Sequence, residues 1–238
     1  MRRVVVLVAL LALIAGAAGC SGRDAREAQT LLAQSEAAVA EIRSATFSAK
    51  LWTEGGPQQL SFTMSGGAYA KGKHAGDFYV IVSSSEDFFD DIVLVQRAGK
   101  MSASMGGQVV SAPIPATSPD QSFGLVQLDP YVKDVDVEHG KIVDGESTTK
   151  ISGVVDMEAF LEGSLGAIPE LAGLGDAGFD GAEAFGDTRA VFYISDSTYL
   201  PVRALVDLPI DVLGEEVVLH MDFAYTSFNK RLTFPNVR

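Results

Sequence analysis

The chain has 238 residues, 18 Lys plus Arg against 31 Asp plus Glu, a formal net charge of −13 and a single cysteine. A surface so acidic repels nucleic acid and anionic lipid headgroups, which excludes nucleic-acid binding and leaves membrane contact to an anchor or to apolar surface. One cysteine excludes an internal disulfide, so the fold must be held by its core, and the length suits one generous domain.

Arg2 and Arg3 precede Val4 to Ala18, a run of apolar and small residues that exits through Ala17-Ala18-Gly19-Cys20. Crossing a bilayer takes about 20 apolar residues, so this pattern describes a secretory leader over residues 1–19 rather than a spanning helix. The exit resembles the lipobox of bacterial lipoproteins, with Ala17 where Leu is usual. That resemblance implies acylation of Cys20 on sulfur, with a palmitate-type chain, and cleavage just before it. Residues 20–26 become the acylated cysteine and a short tether, and residues 27–238 a single domain on the extracytoplasmic face of the cell membrane. An ordinary cleaved leader with an incidental cysteine is the alternative.

From Ala25 to Ala45 the pattern is helical. Ala28, Leu31, Leu32, Ser35, Val39 and Ile42 recur at three- and four-residue steps, opposite Glu27, Gln34, Glu41 and Arg43, with Asp24 as the expected N-cap. The stripe is narrow and rich in Ala, which suits a flat partner such as a sheet face; a partner helix is the alternative. The period then falls to two. Phe47, Ala49 and Leu51, the Gly55-Gly56-Pro57 turn, and Leu60, Phe62 and Met64 predict a hairpin with one apolar face, its second strand broken or bulged at Gly66-Gly67. Further strands are expected over Phe78 to Ser83, Ile92 to Ala98, Lys100 to Met105 and Gln108 to Ala112, close enough together to form an antiparallel meander.

The prolines from Pro113 to Pro119 interrupt the sheet, and Gln121 to Val135 reads as an irregular link. A second hairpin follows, Val135 to Gly145 and Glu146 to Val155, turning at Asp144-Gly145. Asp156 is the expected N-cap of a short helix carrying Met157, Phe160 and Leu161 and ending at Gly163. Ser164 to Asp187 is Gly-rich and acidic yet carries scattered apolar residues such as Phe179. It is too apolar for a plain linker and too Gly-rich for a stable long helix. Strands resume over Arg189 to Ser195, Leu200 to Leu208 and Glu215 to Phe228, the last with Val217, Leu219, Met221, Phe223 and Tyr225 on one face.

No catalytic constellation emerges. His74, His139 and His220 stand apart without metal-ligand spacing, and the chain has neither a Gly-x-Ser-x-Gly elbow nor a phosphate-binding loop. No catalytic residue, metal or cofactor is therefore expected, and a hydrolase would need a site assembled from distant residues. Glu86 to Asp91, and Asp176 with Asp180, Glu183 and Asp187, are read as solvated loop charge, without EF-hand spacing. Within the first cluster Phe88 and Phe89 cannot both face water cheaply, so they are candidates for the rim of a cavity or for a core anchor.

The segment Val143 to Asp156, the stretches Phe192 to Asp196 and Leu200 to Arg203, and the ending Phe223 to Asn229 with Pro235 resemble corresponding parts of the LppX/LprG family of actinobacterial lipoproteins, and more distantly the LolA/LolB carriers. The resemblance implies an α+β fold: a strongly curved antiparallel sheet, a LolA-like half-barrel, wrapped around a few helices in one domain. It implies a hydrophobic hollow for the acyl chains of a lipid or glycolipid, and a membrane transporter or other envelope protein as partner. The lining expected on this basis is Phe47, Leu51, Leu60, Phe62, Met64, Leu219, Met221 and Phe223, with Phe88, Phe89, Phe160, Leu161 and Phe179 near the entrance. The Gly-rich segment is suited to a lid. The alternative is a dry core on the same fold, in a lipoprotein that binds a protein partner.

Overall fold

The computed structural model describes residues 22–56, 59–84, 90–113, 131–157, 159, 186–212 and 215–237. The leader with Cys20, the stretch with Phe88 and Phe89, the proline-rich segment beyond Pro113, Phe160, Leu161 and the Gly-rich segment with Phe179 lie outside these residues.

Among the described residues one helix, α1 (Gly22–Ala40), precedes eleven strands. These are β1 (Ser44–Glu54), β2 (Ser61–Tyr69), β3 (Phe78–Ser84), β4 (Ile92–Arg97), β5 (Lys100–Met105), β6 (Gln108–Pro113), β7 (Val132–Val143), β8 (Glu146–Val155), β9 (Arg189–Ser195), β10 (Pro201–Val212) and β11 (Glu215–Phe228). They form one open antiparallel sheet in the order β6-β5-β4-β3-β2-β1-β11-β10-β9-β8-β7. Two meanders run outward from the centre, and β1 pairs with β11 to join the two ends of the chain.

α1 begins earlier and ends earlier than the helical pattern suggested. It starts at Gly22, so Asp24 lies in the first turn rather than at the cap, where its charge still suits the positive end of the helix. It stops at Ala40 because β1 docks on the end of β11: the Arg43 N–H donates to Asn229 Oδ1 at 2.7 Å, and Ser44 Oγ to the Lys230 carbonyl at 2.6 Å. Ile42, placed on the helical stripe by periodicity, and Ala45, the expected end of the helix, are buried at this junction instead.

Gly66 and Gly67 do not break β2, which runs through both in register with β1 and β3. Gly66 is required by packing. A Cβ there would sit 2.5 Å from the Tyr79 carbonyl oxygen and 2.6 Å from Cζ of Phe47, so the glycine is the notch into which the Phe47 ring fits. The β7–β8 turn is as expected, with Asp144 at φ 51° and Gly145 at φ 84°, the left-handed pair that a two-residue hairpin demands. β7 begins at Val132, ahead of the expected Val135, and carries two register shifts, between Lys133 and Asp136 and between Glu138 and Lys141. β10 continues past Leu208 to Val212. Pro209 is tolerated within it: counting back from the Val212–Glu215 pair places Pro209 and Val218 at a non-hydrogen-bonded position, so no bond to β11 is lost.

The core lies under α1. Ala28 packs with Ile151 and Val155 of β8, Ala190, Phe192 and Ile194 of β9, and Ala204 and Val206 of β10, with Leu31 and Leu32 beside them. Glu27 of α1 reaches His139 of β7 at 2.8 Å, and His139 also meets Thr149 Oγ1 at 3.0 Å, tying the helix to the sheet. Asp156 caps the turn after β8, accepting the Ala159 N–H at 3.1 Å as expected. The segment after β11 covers the opposite face of β2 to β4. The Leu232 N–H donates to Tyr69 Oη, and Phe234 packs against Tyr69 and Tyr79 with Arg97 over its ring.

Two outcomes follow. Gly66→Ala should cost about 1–3 kcal/mol through overpacking, read as a lowered thermal midpoint. Hydrogen bonds from Lys141 and Lys150 hold the Glu138 carboxyl down at about 2, against an ordinary value of 4.5. A depressed carboxylate stabilises the fold above the unfolded value and loses that contribution as pH falls through the folded one. Glu138→Gln should therefore flatten the decline in urea midpoint between pH 4.5 and pH 2.

Candidate functional site

Alternation and register sort the sheet into two chemically distinct faces. On the α1 side one row crosses from β8 to β4 as Ile151, Phe192, Ala204, Phe223, Ala49, Met64, Val82 and Ile92. A parallel row carries Ala190, Val206, Met221, Leu51 and Phe62, and a third carries Tyr225, Phe47, Gly66, Val80 and Leu94. Leu219 lies opposite both Thr53 and Leu208, and the Leu60 carbonyl accepts the Thr53 N–H just before β2. The described members of the expected lining, Phe47, Leu51, Leu60, Phe62, Met64, Leu219, Met221 and Phe223, therefore share one face, and all are half-buried.

Four aromatic rings run along this face at the β1–β11 junction. Phe47 stacks on Phe223 with centroids 5.1 Å apart, Phe223 meets Tyr225 edge-on at 4.9 Å, and Tyr225 stacks on Phe228 at 5.3 Å. Phe228 joins the odd-numbered residues because β11 bulges at Thr226: Thr46 pairs with Ser227 while Phe47 pairs with Tyr225. Both Thr226 and Ser227 then turn their hydroxyls to Thr46. Strict alternation hides this. Val80, Val82 and Leu94 were also missed, because β3 and β4 are apolar on successive positions and alternation cannot tell one face from the other.

Among the described residues the coverage of this face is uneven. An eleven-strand sheet is about 50 Å across at ~4.8 Å per strand, whereas a helix is about 10 Å wide. α1 packs over β7 to β10. Met221 of β11 packs against the same core, and among the described residues the rows on β1 to β4 lie beyond α1.

The opposite face is polar about β1, β10 and β11, while on β3 and β4 it carries Tyr79, Ile81, Val93 and Val95. It bears a basin of about 500 Å³ lined by Ser48, Ala49 and Lys50 of β1, Thr63, Met64 and Ser65 of β2, Ile81 and Ser83 of β3, Arg203 of β10, Asp222 and Ala224 of β11 and Asp144 of the β7–β8 turn. Of the expected lining residues only Met64 borders it. Asp222 grips the Arg203 guanidinium through Nε at 2.7 Å and through Nη2, which raises the arginine above its ordinary value. Nearby, Trp52 stacks on His220 at 5.0 Å with Lys50 over its ring, and His220 lies between Asp207 at 2.7 Å and Glu54 at 3.1 Å. The ions and hydroxyls of the basin make it a poorer seat for a methylene chain than the apolar rows of the other face.

Among the described residues, no three His, Cys, Asp or Glu side chains gather as a metal site, and no helix is long and apolar enough to cross a membrane. Asp222→Ala would leave a half-buried guanidinium unpaired. It should lower stability by roughly 1–2 kcal/mol in urea titration, less for Asp222→Asn, which keeps an acceptor.

No protein-family model matches the sequence, and no curated protein matches it. Among solved structures the chain is similar to LprF from Mycobacterium bovis, with 18% identity and a TM-score of 0.54, over 89% of this chain and 97% of that one. It is also similar to the Mycobacterium tuberculosis lipoprotein LppX, with 16% identity and a TM-score of 0.50, over 87% and 99%. At these identities the likeness is one of fold. The chain has the curved α+β fold of LprF and LppX, a single open antiparallel sheet with a helix on one flank.

Proposed function

We propose that the chain is a non-enzymatic envelope lipoprotein. It is anchored through an acyl group on Cys20 and binds the acyl chains of a lipid or glycolipid against the apolar face of its sheet. The observation that carries this reading is the mismatch, among the described residues, between that face and its cover: the half-buried rows on β1 to β4 extend past the flank on which α1 packs. Each methylene taken from water contributes about 0.8 kcal/mol, so a chain laid along these rows is held without any polar partner. The shared fold with LppX, whose name describes it as a lipoprotein, supports the same reading. So does the leader ending in Ala-Ala-Gly-Cys. In this reading Cys20 keeps a strongly acidic domain beside a membrane that would otherwise repel it, and the short tether confines loading and transfer to that surface.

The test uses the full chain with Cys20→Ala, incubated with phospholipid or glycolipid vesicles and examined by native mass spectrometry. Adducts of lipid mass are expected. Leu51→Asn combined with Phe62→Asn, neighbours across β1 and β2, should weaken uptake by about tenfold or more, since two apolar contacts each worth ~1.5 kcal/mol are lost. The variant's fold is checked by its unfolding midpoint. A wild-type chain that stays ligand-free, or uptake unmoved by the double substitution, overturns the proposal. The first result would favour a dry core that serves a protein partner.

A further inference from the structure

The two outer strands of the sheet are built in opposite ways. β7 carries Lys133, Asp134, Asp136, Glu138, His139 and Lys141, two register shifts, and left-handed backbone at Asp134 and Gly140. Charges and bulges of this kind prevent an edge from accepting another strand. β6, Gln108–Pro113, has no charged residue and pairs regularly with β5. Of the five large apolar side chains that are exposed among the described residues, Met105, Val109 and Val110 belong to the β5–β6 hairpin, with Val110 at 69%.

The hairpin phase determines which backbone groups of β6 face outward. The two-residue turn at Gly106-Gly107 makes Met105 and Gln108 the first hydrogen-bonded pair, so Gln108, Val110 and Ala112 bond inward to β5. Val109 and Ser111 consequently turn both N–H and C=O away from the sheet. Pro113, at the next outward position, has no N–H to offer.

We propose that β6 pairs antiparallel with β6 of a second copy of this chain, about a two-fold axis at Val110. In that register Val109 of each copy exchanges both backbone bonds with the partner's Ser111. The two Val110 side chains then meet as a non-hydrogen-bonded pair, with Cα atoms about 4.5 Å apart. Centring the axis on Ser111 would set Val109 against the donorless Pro113. Centring it on Val109 would set Ser111 against the turn. The ends are complementary in charge. Lys100 lies opposite Pro113, whereas Asp90 Oδ2 lies at Gly106, 2.8 Å from where a Cβ would stand. The two-fold register brings the Lys100 end of one copy to within about 10 Å, two strand spacings, of the partner's Asp90, and does so at both ends. Parallel pairing would bring Asp90 to Asp90. For a chain of net charge −13, an uncharged edge with complementary ends is where two copies can approach. Two six-residue edges bury little area, so the pair is weak in solution and a covalent trap is the suitable experiment.

The detergent-purified full chain with Cys20→Ser, which removes the only native thiol, receives Val110→Cys and is oxidised with copper phenanthroline. The expected result is a disulfide-linked dimer on a non-reducing gel. Ile142→Cys in the same background is equally exposed, at 70%, on the guarded edge, and should remain monomeric. Adding Val109→Pro to the Val110→Cys chain deletes an outward N–H without touching any β5 bond and should abolish the cross-link. Absence of the dimer, equal linking through Ile142→Cys, or linking that survives Val109→Pro overturns the proposal, the first leaving the edge to an extended segment of a different protein.

Discussion

A sheet that is apolar on one side must cover that side, and the cost of leaving it wet grows with every strand added. Here the sheet is eleven strands wide and open. α1 packs on the β7–β10 flank, its Ala28 sharing one core cluster with Ala190 and Ala204. A narrow Ala-rich stripe cannot also shield the rows on β1 to β4. The division between a dry flank and a half-buried one, from which the functional reading is drawn, is thus a consequence of which side chains line α1.

The centre of the sheet depends on a second constraint, the packing of aromatic rings where the ends of the chain meet. Phe47 on β1 and Phe223 on β11 stack across the junction, and Gly66 on β2 leaves room for the Phe47 ring. The Thr226 bulge brings Phe228 onto the same face, while Asn229, at φ 57°, accepts the Arg43 N–H and turns the chain toward the other side. From there Leu232 and Phe234 cover β2 to β4. A few residues after the last strand therefore do on the polar face what α1 does on the apolar one.

The two faces differ in how they satisfy their polar groups. Arg203 and Asp222, His220 with Asp207 and Glu54, and Trp52 stacked on His220 are all lateral arrangements between side chains of neighbouring strands. Such pairs hold strands in register from the wet side, where water moderates their worth. At the edges the same contrast decides exposure: β7 is charged and bulged, β6 is neutral and regular.

Much of this was legible in the residues themselves. Alternation identified the β1–β2 hairpin, the meander that follows it and the long final strand, because a strand's period is local and survives without knowledge of its neighbours. Asp144-Gly145 declared its turn, since only such residues accept two successive left-handed conformations. Alternation also placed Phe47, Leu51, Phe62, Met64, Met221 and Phe223 as residues of one kind. That they share one continuous face needed the register of β1 with both β2 and β11, which joins residues some 170 positions apart. The end of α1, the need for Gly66 and the place of Phe228 were decided by tertiary structure alone. Each depends on a distant partner: Asn229 for the helix end, the Tyr79 carbonyl and Phe47 ring for the glycine, and Thr46 for the bulge. Local sequence determines what a segment can become; which of its options is taken is set by contacts that no local pattern contains.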